Sequence, residues 1–144
     1  MDNETQRARI ARYIMAAVAI VFGLMTLKSG GEVLFGGEEA RQAAGDYVGF
    51  VVWFNFIAGF AYIGAGIGFA IKWATSRWLA ALIAAASAAV FAIFGIYILQ
   101  GGAFETRTVA AMTLRTGLWL VFAIGAFRLF RTSHPQESIR RDGP

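Results

Sequence analysis

Few side chains in this sequence could do chemistry, and the two most informative sit where polar groups are expensive. Arg115 lies about six residues inside an apolar stretch, roughly 9 Å along a helix at 1.5 Å per residue. Asn55 lies about eight residues inside another, so the two reach a similar depth, roughly 10 Å. A guanidinium needs acceptors, and the Asn55 amide oxygen can accept from it. Helical spacing puts Thr108, Met112, Arg115 and Trp119 on one face, and Thr116 and Tyr62 could extend the network. A second charged group, Lys28, Glu32, Glu105 and Arg107, flanks the same apolar stretches, and Glu105 could pair with Lys28, Arg107 or Arg115. Two readings stay open. In one, Arg115, Arg107 and Lys28 form an electropositive pocket for an anion, a quinone-like head group or a lipid phosphate. In the other, Arg115 fixes helix register or snorkels to the head groups.

Other chemistry has little support. There is no cysteine, which removes disulfides, thiolate metal sites and iron–sulfur ligation, and the only histidine, His134, lies in a polar tail. No cofactor, no metal site and no catalytic residue is expected. No carboxylate lies deep in an apolar stretch, which argues against a pump-type proton relay. Met15, Met25 and Met112 lack clustered spacing and read as apolar filling, and Ser87 reads as a hydroxyl bonded to its own helix.

The elements that position these groups are membrane spans. Of 144 residues, 58% are hydrophobic and 15% charged, against roughly 25% charged in a typical soluble domain. Four apolar stretches are long enough to cross about 30 Å of hydrocarbon as helices: Ile10–Leu27 (extending towards Phe35), Tyr47–Ile71, Trp78–Leu99 and Val109–Phe130. Lipid offers the backbone no partner, so they must be helices. The fold expected is an all-α, integral membrane four-helix bundle over residues 1–131, followed by a disordered cytoplasmic tail at 132–144. The first stretch resembles a signal peptide in its leading Arg7, Arg9 and Arg12, but no small-x-small site follows Ile14–Leu27, and it is expected to stay as a span.

Orientation follows from the basic residues. With the N-terminus inside, the inner segments hold Arg7, Arg9, Arg12, Lys72, Arg77, Arg128, Arg131, Arg140 and Arg141, and the outer ones only Lys28, Arg41 and Arg107. That asymmetry predicts both termini in the cytoplasm of a bacterial inner-membrane protein. Tyr13, Trp73 and Trp78 mark the inner interface, and Tyr47, Trp53 and Tyr97 the outer. The net charge of +4 is then explained by topology and anionic lipid, with no nucleic-acid partner. The 72–77 loop is short enough to force an antiparallel hairpin of the second and third spans. The loop from Lys28 to Asp46 is longest. Ser29-Gly30-Gly31 and Gly36-Gly37 argue for turns, with a short amphipathic piece at Glu38–Ala44, either an ordinary surface loop or a lid. Close packing is expected on the third span's rows Ala80, Ala84, Ala88, Ala92 and Ala81, Ala85, Ala89, and at Gly64 and Gly68.

Phe22-Gly23-Leu24-Met25-Thr26-Leu27-Lys28 and Gly59-Phe60-Ala61-Tyr62-Ile63-Gly64-Ala65-Gly66 resemble the first two helices of the DoxX-like families of small bacterial membrane proteins. That resemblance implies a four-helix, N-in layout and, for some relatives, roles in quinone-dependent sulfur oxidation or oxidative-stress complexes. The function expected first is a non-catalytic accessory or stabilising subunit of a larger, respiratory-type membrane assembly, or a homo-oligomer. The alternatives are binding or transport of a small anionic or quinone-like ligand in the outer half, and a quinone-coupled oxidoreductase subunit.

Overall fold

The computed structural model describes residues 3–131, so the expected tail at 132–144, with His134, lies outside the described residues. Five helices follow one another: α1 (Asn3–Phe35), α2 (Gly37–Ala44), α3 (Gly49–Ala70), α4 (Ser76–Leu99) and α5 (Thr106–Arg131). All but the eight-residue α2 are long and apolar enough to cross a membrane. The chain is a multi-pass membrane protein built as an all-α four-helix bundle.

Its surface reverses that of a soluble bundle. Val21, Leu24, Ile57, Phe60, Leu82 and Val121 face outward, while Ala19, Ala65, Ala80, Ala126, Tyr62, Trp119, Ser76 and Ser87 are fully buried. Lipid tails are as apolar as leucine, so burying leucine gains little in a bilayer. Small residues and polar groups are what hold such helices together.

The helices neighbour one another in the ring order α1, α3, α4, α5 and back to α1, leaving α3 and α5 on a diagonal. The closest seam is antiparallel, between α1 and α3. A Cβ added at Gly59 would sit 2.8 Å from Leu27 Cγ, one at Gly23 2.9 Å from the Gly59 carbonyl oxygen, and one at Gly66 2.9 Å from the Ala16 carbonyl oxygen. No larger residue fits there without moving a backbone. The close contact expected on the alanine rows of α4 is therefore made mainly elsewhere. Ala80 and Ala84 are buried, but Ala85, Ala88, Ala89 and Ala92 face outward. Gly64 also meets nothing within 4 Å, whereas Gly68 fits against Ser76. Glycine exposes bare backbone to its neighbour, which alanine cannot, and the α1–α3 seam uses that difference.

A second expectation is corrected at Ser29-Gly30-Gly31. These residues continue α1 and do not turn. Gly30 is buried, and a Cβ there would come within 3.2 Å of Phe56 Cβ, so this glycine admits α3 to α1. The turn falls at Gly36 and Gly37, where Gly37 has φ +82°, a left-handed conformation that glycine adopts freely. At 33 residues, α1 runs about 50 Å, longer than the hydrocarbon it must cross.

Met15 lies against Gly125, so the start of α1 and the end of α5 share one end of the bundle, the terminal end. The other carries α2. Exposed aromatic residues mark both: Tyr13, Trp73 and Trp78 at the terminal end, Tyr47 and Trp53 at the α2 end.

Candidate functional site

The face of α5 that spacing picks out is the one turned inward. Met112 and Trp119 are fully buried and Arg115 is 5% exposed. Thr108, at the top of the same face, is half-buried. From α5, the Arg115 Nη1 donates to Asn55 Oδ1 on α3 and to the Met112 sulfur at 3.4 Å. The guanidinium carbon stands 5.8 Å from the Phe22 ring centre and 5.9 Å from that of Tyr62. Ring faces are electron-rich, so both contacts favour the cation. Tyr62 packs in turn on Trp119 at 4.7 Å and on Phe22 at 5.8 Å. Arg115 thus rests on an aromatic floor supplied by α1, α3 and α5.

What this arrangement lacks is an anion. Every partner named so far is neutral, and the Arg115 Nε is buried without a hydrogen-bond partner. Among the described residues the single ion pair is Lys28–Glu32, at 3.9 Å along the exposed side of α1. Insertion of an arginine at a span's centre costs about 2.5–3.5 kcal/mol, and a counter-charge reduces that cost.

Beside Arg115 is a cavity of about 580 Å³, within the usual size range of ligand sites. Ser29, Gly30, Glu32 and Val33 wall it from α1, Val51, Val52 and Asn55 from α3, and Arg107, Thr108, Ala111 and Arg115 from α5. Ala40, Ala43 and Ala44 of α2 form a further wall, so the amphipathic piece expected in the long loop borders the Arg115 site. Arg107 holds it there, donating to the Ala43 carbonyl at 2.9 Å and to the Ala44 carbonyl. These are the open carbonyls at the negative end of a helix, where a cation is favoured.

The second charged group expected from sequence divides into separate contacts. Lys28 pairs only with Glu32, its neighbour one turn on. Glu105 forms no ion pair with Lys28, Arg107 or Arg115, but accepts from the Asp46 backbone N–H at 3.1 Å and tethers the end of the α2 loop. The backbone N–H and carbonyl groups at the end of α2 and its loop take up both side chains, which do not pair with each other. Tyr62 serves Arg115 through its ring; its hydroxyl lies beside Ser87, outside hydrogen-bond geometry. The Thr116 hydroxyl is buried without a partner and takes no part in the Arg115–Asn55 bond.

Sequence reasoning passed over two contributors. Met112 reads as apolar filling, yet its sulfur is an acceptor for Arg115, one turn away on the same face. Phe22 carries no signal, because its role depends on how α1 approaches α5. Among the described residues no three histidine, cysteine or acidic side chains gather to hold a metal ion. No family model, curated protein or solved structure matches this chain.

Proposed function

We propose that this chain binds an anionic ligand, through carboxylate- or phosphate-type oxygens, in the cavity beneath α2. The observation that carries the proposal is Arg115: a cation 5% exposed, in a membrane bundle, on the wall of a 580 Å³ cavity and with no carboxylate partner among the described residues. An anion in the cavity would neutralise it and satisfy its free donors with charge-assisted hydrogen bonds. The distribution of lysine and arginine supports a bacterial inner-membrane location with both termini cytoplasmic, which turns the cavity to the outer side. The site has no paired nucleophile and base, so binding or transport fits it better than catalysis.

A second reading draws on the same lone charge. In an accessory subunit of a larger assembly, a partner subunit's carboxylate would enter the cavity and pair with Arg115. Thermal unfolding of the purified full chain in an uncharged detergent, titrated with inorganic phosphate, tests the first reading. A ligand specific to the folded state adds about 1.4 kcal/mol of stability at ten times its dissociation constant. Phosphate should stabilise the wild type and leave Arg115→Gln unmoved. Equal responses, or none, would refute a site at Arg115.

A further inference from the structure

A second, narrower space meets the cavity at Arg115. It is a crevice of about 210 Å³ between α1 and α5, walled by Phe22, Met25 and Thr26 on one side and Ala111, Leu114 and Arg115 on the other. Ser29, Ala111 and Arg115 line both spaces, so the guanidinium stands at their junction. The two differ in character. The cavity is bordered by Asn55, Arg107, Thr108 and the Lys28-paired Glu32, with a surface helix along one side, while the crevice is apolar apart from Thr26, Ser29 and Arg115. The crevice also reaches the flank of the bundle: Met25 and Leu114, on its two walls, are 64% and 62% exposed, on surfaces that face the hydrocarbon. It exists because α1 and α5 barely touch, whereas α1 and α3 are pressed together by their glycines.

We infer that the ligand is an anionic membrane lipid, its head group held at Arg115 in the cavity and one hydrocarbon chain leaving sideways through the α1–α5 crevice. This rests on the anion-binding reading above and names its ligand class. A water-soluble anion would need only the polar cavity. An apolar slot that starts at the same guanidinium and ends among the lipid tails is what a molecule with a charged head and an apolar chain requires. Arg115 lies nine residues into α5, about 14 Å from the start of that helix, so the head group would be drawn beneath the ordinary interface, under α2. Neither a zwitterionic nor an uncharged head group supplies the net negative charge that Arg115 lacks.

The test uses the full chain reconstituted in vesicles of equimolar phosphatidylglycerol and phosphatidylcholine with identical oleoyl chains, then released into an uncharged detergent for native mass spectrometry. Separate preparations, stripped of lipid in the same detergent, are titrated with inorganic phosphate as the head-group-only probe. The wild type should retain one phosphatidylglycerol per chain, about tenfold over phosphatidylcholine. Leu114→Trp fills the crevice from an exposed position and should lose that lipid while keeping its phosphate response; Met25→Trp should do the same from the opposite wall. Arg115→Gln should lose both. If phosphate binds but the wild type retains no lipid, or if both tryptophan variants retain it unchanged, the lipid inference falls and the anion site stands. Equal retention of the two lipids also overturns it. If the wild type binds neither phosphate nor phosphatidylglycerol, both proposals fall.

Discussion

Arg115 of α5 donates a hydrogen bond to Asn55 of α3, sixty residues away in the chain and on the diagonally opposite helix. The backbones of these two helices approach each other less than those of neighbouring helices in the ring. Large side chains fill the diagonal below the bond, with Tyr62 packed on Trp119 and Phe69 edge-on to Phe122 at 6.2 Å. The pair therefore crosses the centre of the bundle at its α2 end, and the width of that diagonal is what leaves room for a cavity beside it.

Removing the acceptor should leave a buried donor unsatisfied. Asn55→Leu is expected to destabilise the protein by about 1–3 kcal/mol, read from thermal or denaturant unfolding in mild detergent. Asn55→Asp should act in the opposite sense. A carboxylate at the Asn55 position supplies the missing counter-charge internally, so the variant should be at least as stable as the wild type and should lose its response to phosphate. An Asn55→Asp variant that still responds in full would show that the ligand does not depend on the charge of Arg115.

The α1–α3 seam should be intolerant where glycine meets backbone and tolerant where it does not. Gly59→Leu and Gly66→Val are expected to cost about 1–3 kcal/mol or more through overpacking. Gly64→Ala adds its methyl to open space and should be neutral or stabilising by about 0.5–1 kcal/mol, as alanine favours a helix over glycine. The contrast is measured by comparing unfolding midpoints of the three variants.

Arg107 and Arg115 both line the cavity, but they should behave differently. Arg107 grips the Ala43 and Ala44 carbonyls, so Arg107→Ala should release α2 more than it weakens the bundle. Amide hydrogen exchange across 37–44 should quicken while exchange in α3 and α5 stays as it was. Arg107→Lys should restore part of the protection, since one ammonium cannot reproduce a planar fork.

The chain contains no cysteine, which makes orientation straightforward to measure. A single cysteine at Glu39→Cys, on α2, should react with a membrane-impermeant maleimide in intact cells. One at Thr75→Cys, in the α3–α4 connection, should react only after permeabilisation. The reverse pattern would place the cavity on the cytoplasmic side.

Much of this architecture was legible in the sequence, for a physical reason: lipid restricts a spanning chain to long apolar helices, and such stretches can be read directly. The matched depth of Arg115 and Asn55 was legible too, because helical rise converts residue counts into ångströms. The packing was not. Ala85, Ala88, Ala89 and Ala92 have the spacing of a helix contact but lie outside it, since sequence spacing defines a face without naming the helix it meets. Gly30 has the local sequence of a turn and is a close contact, because a glycine serves either purpose and only the position of Phe56 decides. Arg107 and Glu105 lie close together in the sequence, yet both are taken up by the backbone of 43–46, whose free carbonyls and N–H groups exist only once α2 has formed.

The central claim is that Arg115 holds an anion, and a density map of the full chain in a nanodisc containing phosphatidylglycerol tests it most directly. The expected result is continuous density within hydrogen-bonding distance of the Arg115 guanidinium, filling the cavity under α2, with Asn55 still bound on the other side. A guanidinium swung out to the head-group region, or one contacting only Asn55 and Met112 with no anionic density beside it, would contradict the claim.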